Sequence, residues 1–195
     1  MSNYRILETH SLSGETALDR PRQDLAESVS LNAPATKVVT DLSKVAAMTI
    51  NPCASMDNAS ERMIAANVRL LFVTDQYYNV MGLVTSRDIT GERAVQYMQE
   101  HGGKREDIMV RDIMTPRHRI EVLSMEEIKH ARVGDVIETL NRLGRQHALV
   151  MTPGVGDSID RISGIISTTQ VSKQTGVAIN VIGLPTTIAD LAAQR

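Results

Sequence analysis

Aromatic residues are scarce in this 195-residue chain: no tryptophan, one phenylalanine (Phe72) and four tyrosines make up 3%. The core must be assembled from Val, Ile, Leu, Ala and ten methionines, whose flexible thioethers fill irregular gaps. Cys53 is the single cysteine, which excludes an intrachain disulfide. No base partners it in the sequence, so a small buried or loop thiol is expected. No run approaches the length of apolar residues that a membrane-spanning helix needs. Residues 1–20 lack the apolar core of an export signal, and the cytoplasm is the expected compartment. A net charge of −2 gives no overall pull toward phosphate backbones, so neither nucleic acid nor membrane is an expected partner. Composition is otherwise ordinary, with 42% hydrophobic and 23% charged residues in a chain long enough for a sizeable core.

The patterns of catalysis are missing as well. The five histidines (10, 101, 118, 130, 147) show no metal-ligand spacing, and no nucleophile elbow, paired carboxylates or zinc-protease motif stands out. Gly102-Gly103-Lys104 has no strand before it and no hydroxyl residue after it, and reads as a helix stop. The methionines read as core filling. We expect no catalytic residue, no metal and no required cofactor; the chain is not expected to be an enzyme.

What is present is one unit written twice. Gly82-Leu83-Val84-Thr85-Ser86-Arg87-Asp88-Ile89 returns as Gly164-Ile165-Ile166-Ser167-Thr168-Thr169-Gln170-Val171, each copy ending a β-rich run and opening a helix. Upstream, Ala59, Met63 and Ala66 share one helical face, and Val136, Leu140 and Leu143 repeat it 77 residues later. The apolar runs at 70–74 and 147–151 keep that offset. The two motifs lie 82 apart, which puts a five-residue insertion in the Gly- and Pro-containing loop at 153–158.

The first unit reads as a leading segment at 36–42, a strand at 47–50, a helix from a Ser55 or Asp57 cap to about 66, a hairpin over 70–84 and a helix over 86–100. The second enters through Val110-Arg111-Asp112-Ile113-Met114-Thr115-Pro116, then a strand at 119–123, a loop at 124–131, a helix to Gly144, a hairpin and a helix over 168–174. The organisation expected is an N-terminal arm (1–35, with one helical turn at 23–29), repeats at 36–106 and 107–176, and an apolar tail (177–195). That tail ends in a helix capped by Thr186 or Thr187. The fold class is α/β (α+β): two β-α-β-β-α half-domains with a cleft between them.

The doubled motif with the 110–116 entry resembles a pair of CBS domains, the regulatory modules named after cystathionine beta-synthase, over about residues 36–175. The resemblance implies two repeats about a pseudo-twofold axis, frequent homodimerisation, an effector protein regulated through another chain, and adenosine-containing ligands: AMP, ADP, ATP or S-adenosylmethionine. It implies a site at Thr85, Ser86, Arg87 and Asp88, completed from the opposite repeat near Val110, Met114, Arg145 and Gln146. A weaker second site would use Val68, Arg69, Ser167, Thr168 and Gln170. There Gln170 replaces the family's Asp with a neutral amide less suited to gripping a diol. The residues fit such a ligand on their own chemistry: a carboxylate accepts hydrogen bonds from both ribose hydroxyls, while Thr85 and first-turn amides face phosphate oxygens. Two plainer readings stand beside this one. Asp88 is also suited to capping its helix, worth about 0.3–1 kcal/mol. Arg117-His118-Arg119 is either a solvated basic patch or the seat of a phosphate tail.

Overall fold

In the computed structural model, which describes residues 7–11, 15–16 and 21–179, two four-stranded sheets face each other. The first half contains β2 (Thr49–Ile50), α1 (Met56–Ala66), β3 (Leu70–Thr74), β4 (Val80–Thr85), α2 (Ser86–Thr90) and α3 (Glu92–His101). The second contains β6 (Val122–Ser124), α5 (Met125–His130), α6 (Val133–Leu143), β7 (His147–Thr152), β8 (Arg161–Ser167) and α7 (Thr168–Thr175). Two leading segments complete the list: β1 (Thr40–Asp41), and α4 (Val110–Ile113) followed by β5 (Thr115–Pro116).

The leading segments are exchanged. β1 pairs with β8 of the second half, and β5 pairs with β4 of the first. Strand orders are therefore β1-β8-β7-β6 and β2-β3-β4-β5, which a pseudo-twofold operation interconverts. Within each half the parallel pair (β2 with β3, β6 with β7) precedes the hairpin, and both hairpins carry a register irregularity at the same point, after Val73 and after Val150. The motif glycines sit where the exchanged strand crosses: a Cβ on Gly82 would lie 2.6 Å from the Thr115 carbonyl oxygen, and one on Gly164 2.5 Å from Val39 Cγ1.

Side-chain alternation along the central strands makes three cores. Leu71 and Val73 face α1 and join Met56, Ala59, Met63, Val84, Val110 and Ile113. Ala148 and Val150 face α6 with Val136, Leu140, Ile166, and with Ala35, Val38 and Val39 from the leading segment. The alternate residues Leu70, Phe72 and Leu149 pack between the sheets, closing the seam of the two halves. β3 is buried along its whole length because helices cover one face and the other sheet covers the other.

Several local expectations change. Residues 86–100 form two helices, because at Gly91 the backbone is extended and a Cβ there would lie 2.5 Å from the Arg87 carbonyl oxygen. The expected loop at 124–131 contains α5, capped by Ser124, with acids in its first turn, bases in its last and Ile128 buried. The expected strand at 119–123 is a 3-10 turn (Arg117–Arg119) and then β6. No helical turn forms at 23–29; instead that stretch is docked on the second half. Val29 N donates to Gln174 O (2.8 Å), the Gln174 side-chain amide donates to Ala26 O (2.8 Å), and the Gln23 amide bonds Val39 O and Asp41 N. Val177 and Ile179, at the start of the apolar tail, pack against the core of the second half. The terminal helix expected after Thr186 lies outside the described residues. Among the described residues no helix is long and apolar enough to cross a membrane.

Candidate functional site

Asp88 occupies the third position of α2, and its carboxylate returns to the start of the helix. Oδ2 accepts from Thr85 N (2.8 Å) and Thr85 Oγ1 (2.7 Å), while Asp88 N donates to Thr85 Oγ1 (3.3 Å). Oδ1 pairs with Arg93 at 3.0 Å, and the Asp88 side chain is 12% exposed. The same guanidinium donates to Ile113 O (3.1 Å) and Thr115 Oγ1 (3.0 Å), tying the motif to the segment that crosses from the other half.

These bonds alter the expected division of labour. The Thr85 hydroxyl is used by Asp88, and Ser86 N donates to Arg69 O (3.0 Å), extending the β3–β4 hairpin within the first half. Since α2 is only five residues long, its amides are a poor anion seat. Any phosphate near this site must rely on the arginines instead.

Asp88 lines a cavity of about 260 Å³ at the seam, together with Thr85 and Arg87 of the first half and Arg145 and Gln146 of the second. The structure thus brings together five of the eight residues expected for the first site. Ser86 faces the second cleft. Val110 is fully buried in the first core, because its side chain is the anchor of the crossing segment, and Met114 packs against that same core. Thr115 and Ile120 take the places on the wall expected for those two. Sequence reasoning did not single out Arg93 or Glu121, which also face this cavity; a lone charged residue on an amphipathic helix or after a turn carries no distinguishing signal. Arg119 of the basic run reaches the rim, and His147 lies on the wall. Burial, with the Arg69 guanidinium beside it, pushes the His147 pKa down to about 4.

The pseudo-symmetric cleft is wider, about 880 Å³, and its lining includes Val68, Arg69, Ser167 and Gln170 with an apolar wall from residues 42–48. Thr168 is buried and its N–H donates to Gln146 O (2.9 Å), while Thr169 faces the cleft and accepts a hydrogen bond from Arg69. Ser167 makes no capping bond, so the reciprocal box found at Thr85 has no counterpart at the start of α7. Among the described residues no group of three metal-ligating side chains occurs, and Cys53 is exposed, 3.5 Å from Arg111 Nη1.

No family model matches the chain, and no curated protein matches it. Solved structures do. An uncharacterised conserved protein from Pyrococcus horikoshii aligns at 22% identity over 73% of this chain and 92% of that one, with a TM-score of 0.52. CBSX2 in complex with AMP aligns at 19% identity over 84% of this chain and 99% of that one, with a TM-score of 0.51. The CBS-pair protein CBSX2 from Arabidopsis thaliana aligns at 20% identity over 73% and 93%, with a TM-score of 0.48. With its exchanged leading strands, twofold-related sheets and doubled motif, this chain has the fold of a tandem CBS-domain pair.

Proposed function

We propose that this chain is a regulatory module that binds an adenosine ligand in the Asp88 cavity and catalyses nothing. The observation that carries the reading is convergence: Asp88 from one half and Arg145 and Gln146 from the other line a single cavity at the seam. Asp88 Oδ1 accepts one charge-assisted bond from Arg93 and keeps lone pairs for ribose hydroxyls. Leu70, Ile120 and Leu149 offer an apolar bed for a purine, and the arginines lie where phosphate would emerge. That a protein of this fold was crystallised with AMP adds support from architecture alone.

The mechanism is a population shift. A ligand touching both halves favours the arrangement in which they are closed, and only its differential affinity for that arrangement does work. A second copy of the chain in a homodimer, or an effector protein, reads the change, in the cytoplasm. The test is a melting curve with AMP, ADP, ATP and S-adenosylmethionine. A ligand at a hundred times its Kd stabilises by about 2.7 kcal/mol. Curves unmoved by all four would sink the proposal.

One observation favours a rival, a ligand-free dimerisation module: the Asp88 carboxylate is already engaged by Thr85 and Arg93. That reading expects a concentration-dependent dimer whose stability is indifferent to every nucleotide, measured by sedimentation with and without ligand.

A further inference from the structure

Residues 31–35 and 23–29 are tied to the second half in different ways. The first stretch is anchored through the backbone: Val133 N donates to Ala33 O (2.9 Å), Gly134 N to Leu31 O (2.9 Å) and Ala35 N to Ala131 O (3.0 Å). The stretch 23–29 is held by two glutamines. The Gln23 side-chain amide donates to Val39 O (3.0 Å) and accepts from Asp41 N (2.6 Å), taking the place of a neighbouring strand along the open edge of β1. Gln174, near the end of α7, accepts at its backbone oxygen from Val29 N (2.8 Å) and donates its side-chain amide to Ala26 O (2.8 Å).

These two grips fall on two separate walls of the second cleft. β1 runs on into residues 42–48, the apolar wall, and Gln174 lies one turn beyond Gln170, on the helix that supplies another wall. Residues 23–29 therefore bridge the two segments that line that cleft. The bridge is built to let go. Val29 is its one buried residue, so docking removes little apolar surface from water. Three of its four hydrogen bonds use a glutamine side chain instead of two backbone groups. Gln174 Oε1 is the one buried side-chain polar atom without a partner among the described residues, and an unsatisfied acceptor that release would hydrate weakens the docked state.

We infer that residues 23–29 are a releasable strap that sets the spacing between two walls of the second cleft. Docked, it fixes residues 42–48 against α7; released about a hinge at Ser30, between strap and anchor, it lets them separate. Release and wall movement are one event. Coupling of this kind is reciprocal, so whatever fills the cleft also sets how often the strap lets go. The strap thereby displays the state of an internal cleft on the surface, where another chain can read it. None of this depends on what the Asp88 cavity binds.

Two measurements on the full chain test this. In native-state hydrogen exchange, Gln23→Ala and Gln174→Ala should each speed exchange about tenfold at Val29, Asp41 and Leu42 together, with the amides of β3 unchanged. Contacts that act separately would speed only the amide beside the altered residue, Asp41 for Gln23 and Val29 for Gln174. In a Cys53→Ser chain, spin labels on Ala46→Cys and Lys173→Cys, both exposed positions, report the wall spacing by pulsed dipolar spectroscopy. Gln23→Ala should lengthen and broaden that distance. It is the decisive variant, because Gln23 is half-buried and lies outside the core, whereas Gln174 is 2% exposed. Exchange that rises at Asp41 alone, or a label distance unchanged in Gln23→Ala, would overturn the strap and leave the adenosine reading untouched.

Discussion

Replacing Asp88 by alanine should do two separable things. The first is a loss of stability without ligand. The substitution removes both hydrogen bonds to Thr85 (2.8 and 2.7 Å) and the Arg93 pair (3.0 Å). Losing a helix cap costs about 1 kcal/mol. Arg93 is 45% exposed and keeps its bonds to Ile113 O and Thr115 Oγ1, so its share is at most about 1 kcal/mol. A total near 2 kcal/mol corresponds to a melting midpoint lower by about 4–8 °C for a domain of this size. The second effect is on the ligand response: AMP at a hundred times the parent Kd should raise stability by about 2.7 kcal/mol in the parent and by little in the variant. Asp112→Ala is the matched control, because Asp112 closes the same kind of box on Met109 N (2.9 Å) but does not line the cavity. It should lose stability and keep the full AMP shift. Differential scanning calorimetry reads both effects. An Asp88→Ala protein with unchanged midpoint would refute the capping account; one that melts lower yet keeps the whole AMP shift would refute the role of the carboxylate in binding.

Other expectations follow from the same contacts. Gly82→Ala and Gly164→Ala should each cost about 1–3 kcal/mol in urea unfolding, because the new methyl meets the Thr115 carbonyl oxygen at 2.6 Å in the first case and, in the second, the stiff, buried Val39 Cγ1 at 2.5 Å with the Thr40 carbonyl oxygen at 3.3 Å. Gln170→Asp should complete a capping box at Ser167, raise stability by about 1 kcal/mol and increase the AMP stoichiometry by one per chain in calorimetry. His147 stays neutral in the fold down to about pH 4 but takes a proton near its ordinary 6.5 when unfolded. Its burial therefore costs nothing above pH 6.5, and stability falls progressively as the pH drops from there to about 4, by at most about 3 kcal/mol. Parent and His147→Gln unfolding curves between pH 7 and 4 test this: parallel pH slopes would remove His147 as the cause.

What could be read from the sequence is what recurs at a fixed offset, since recurrence filters out the noise of local propensity. Asn67 and Gly144, 77 apart, both adopt the left-handed conformation that ends α1 and α6, with φ of 51° and 60°. The apolar faces of α1 and α6 and the two hairpins were legible for the same reason. What escaped was set by contacts between distant segments. Nothing in residues 36–42 says that they complete the sheet of the other half, because a two-residue strand carries no period. Only the motif glycines hint at it, and their meaning emerges once Thr115 and Val39 lie against them. Helix α5 escaped because six residues with one buried side chain, Ile128, carry too little amphipathic signal.

The site divides along the same line. Among the described residues, Asp88 is one of four aspartates that return to the amide three residues before them, the others being Asp107 on Lys104, Asp112 on Met109 and Asp135 on Arg132. Of these four, only Asp88 also lines the seam cavity and holds an arginine that bonds the crossing segment. In the sequence all four are the same local device, worth about 1 kcal/mol each. What sets Asp88 apart from a plain cap therefore lies outside the helix, in the exchanged strand and the opposing arginines. Duplication alone would supply two such places. The second has Gln170 where the first has Asp88, and an apolar wall from residues 42–48, so the two clefts present different chemistry although the backbone repeats.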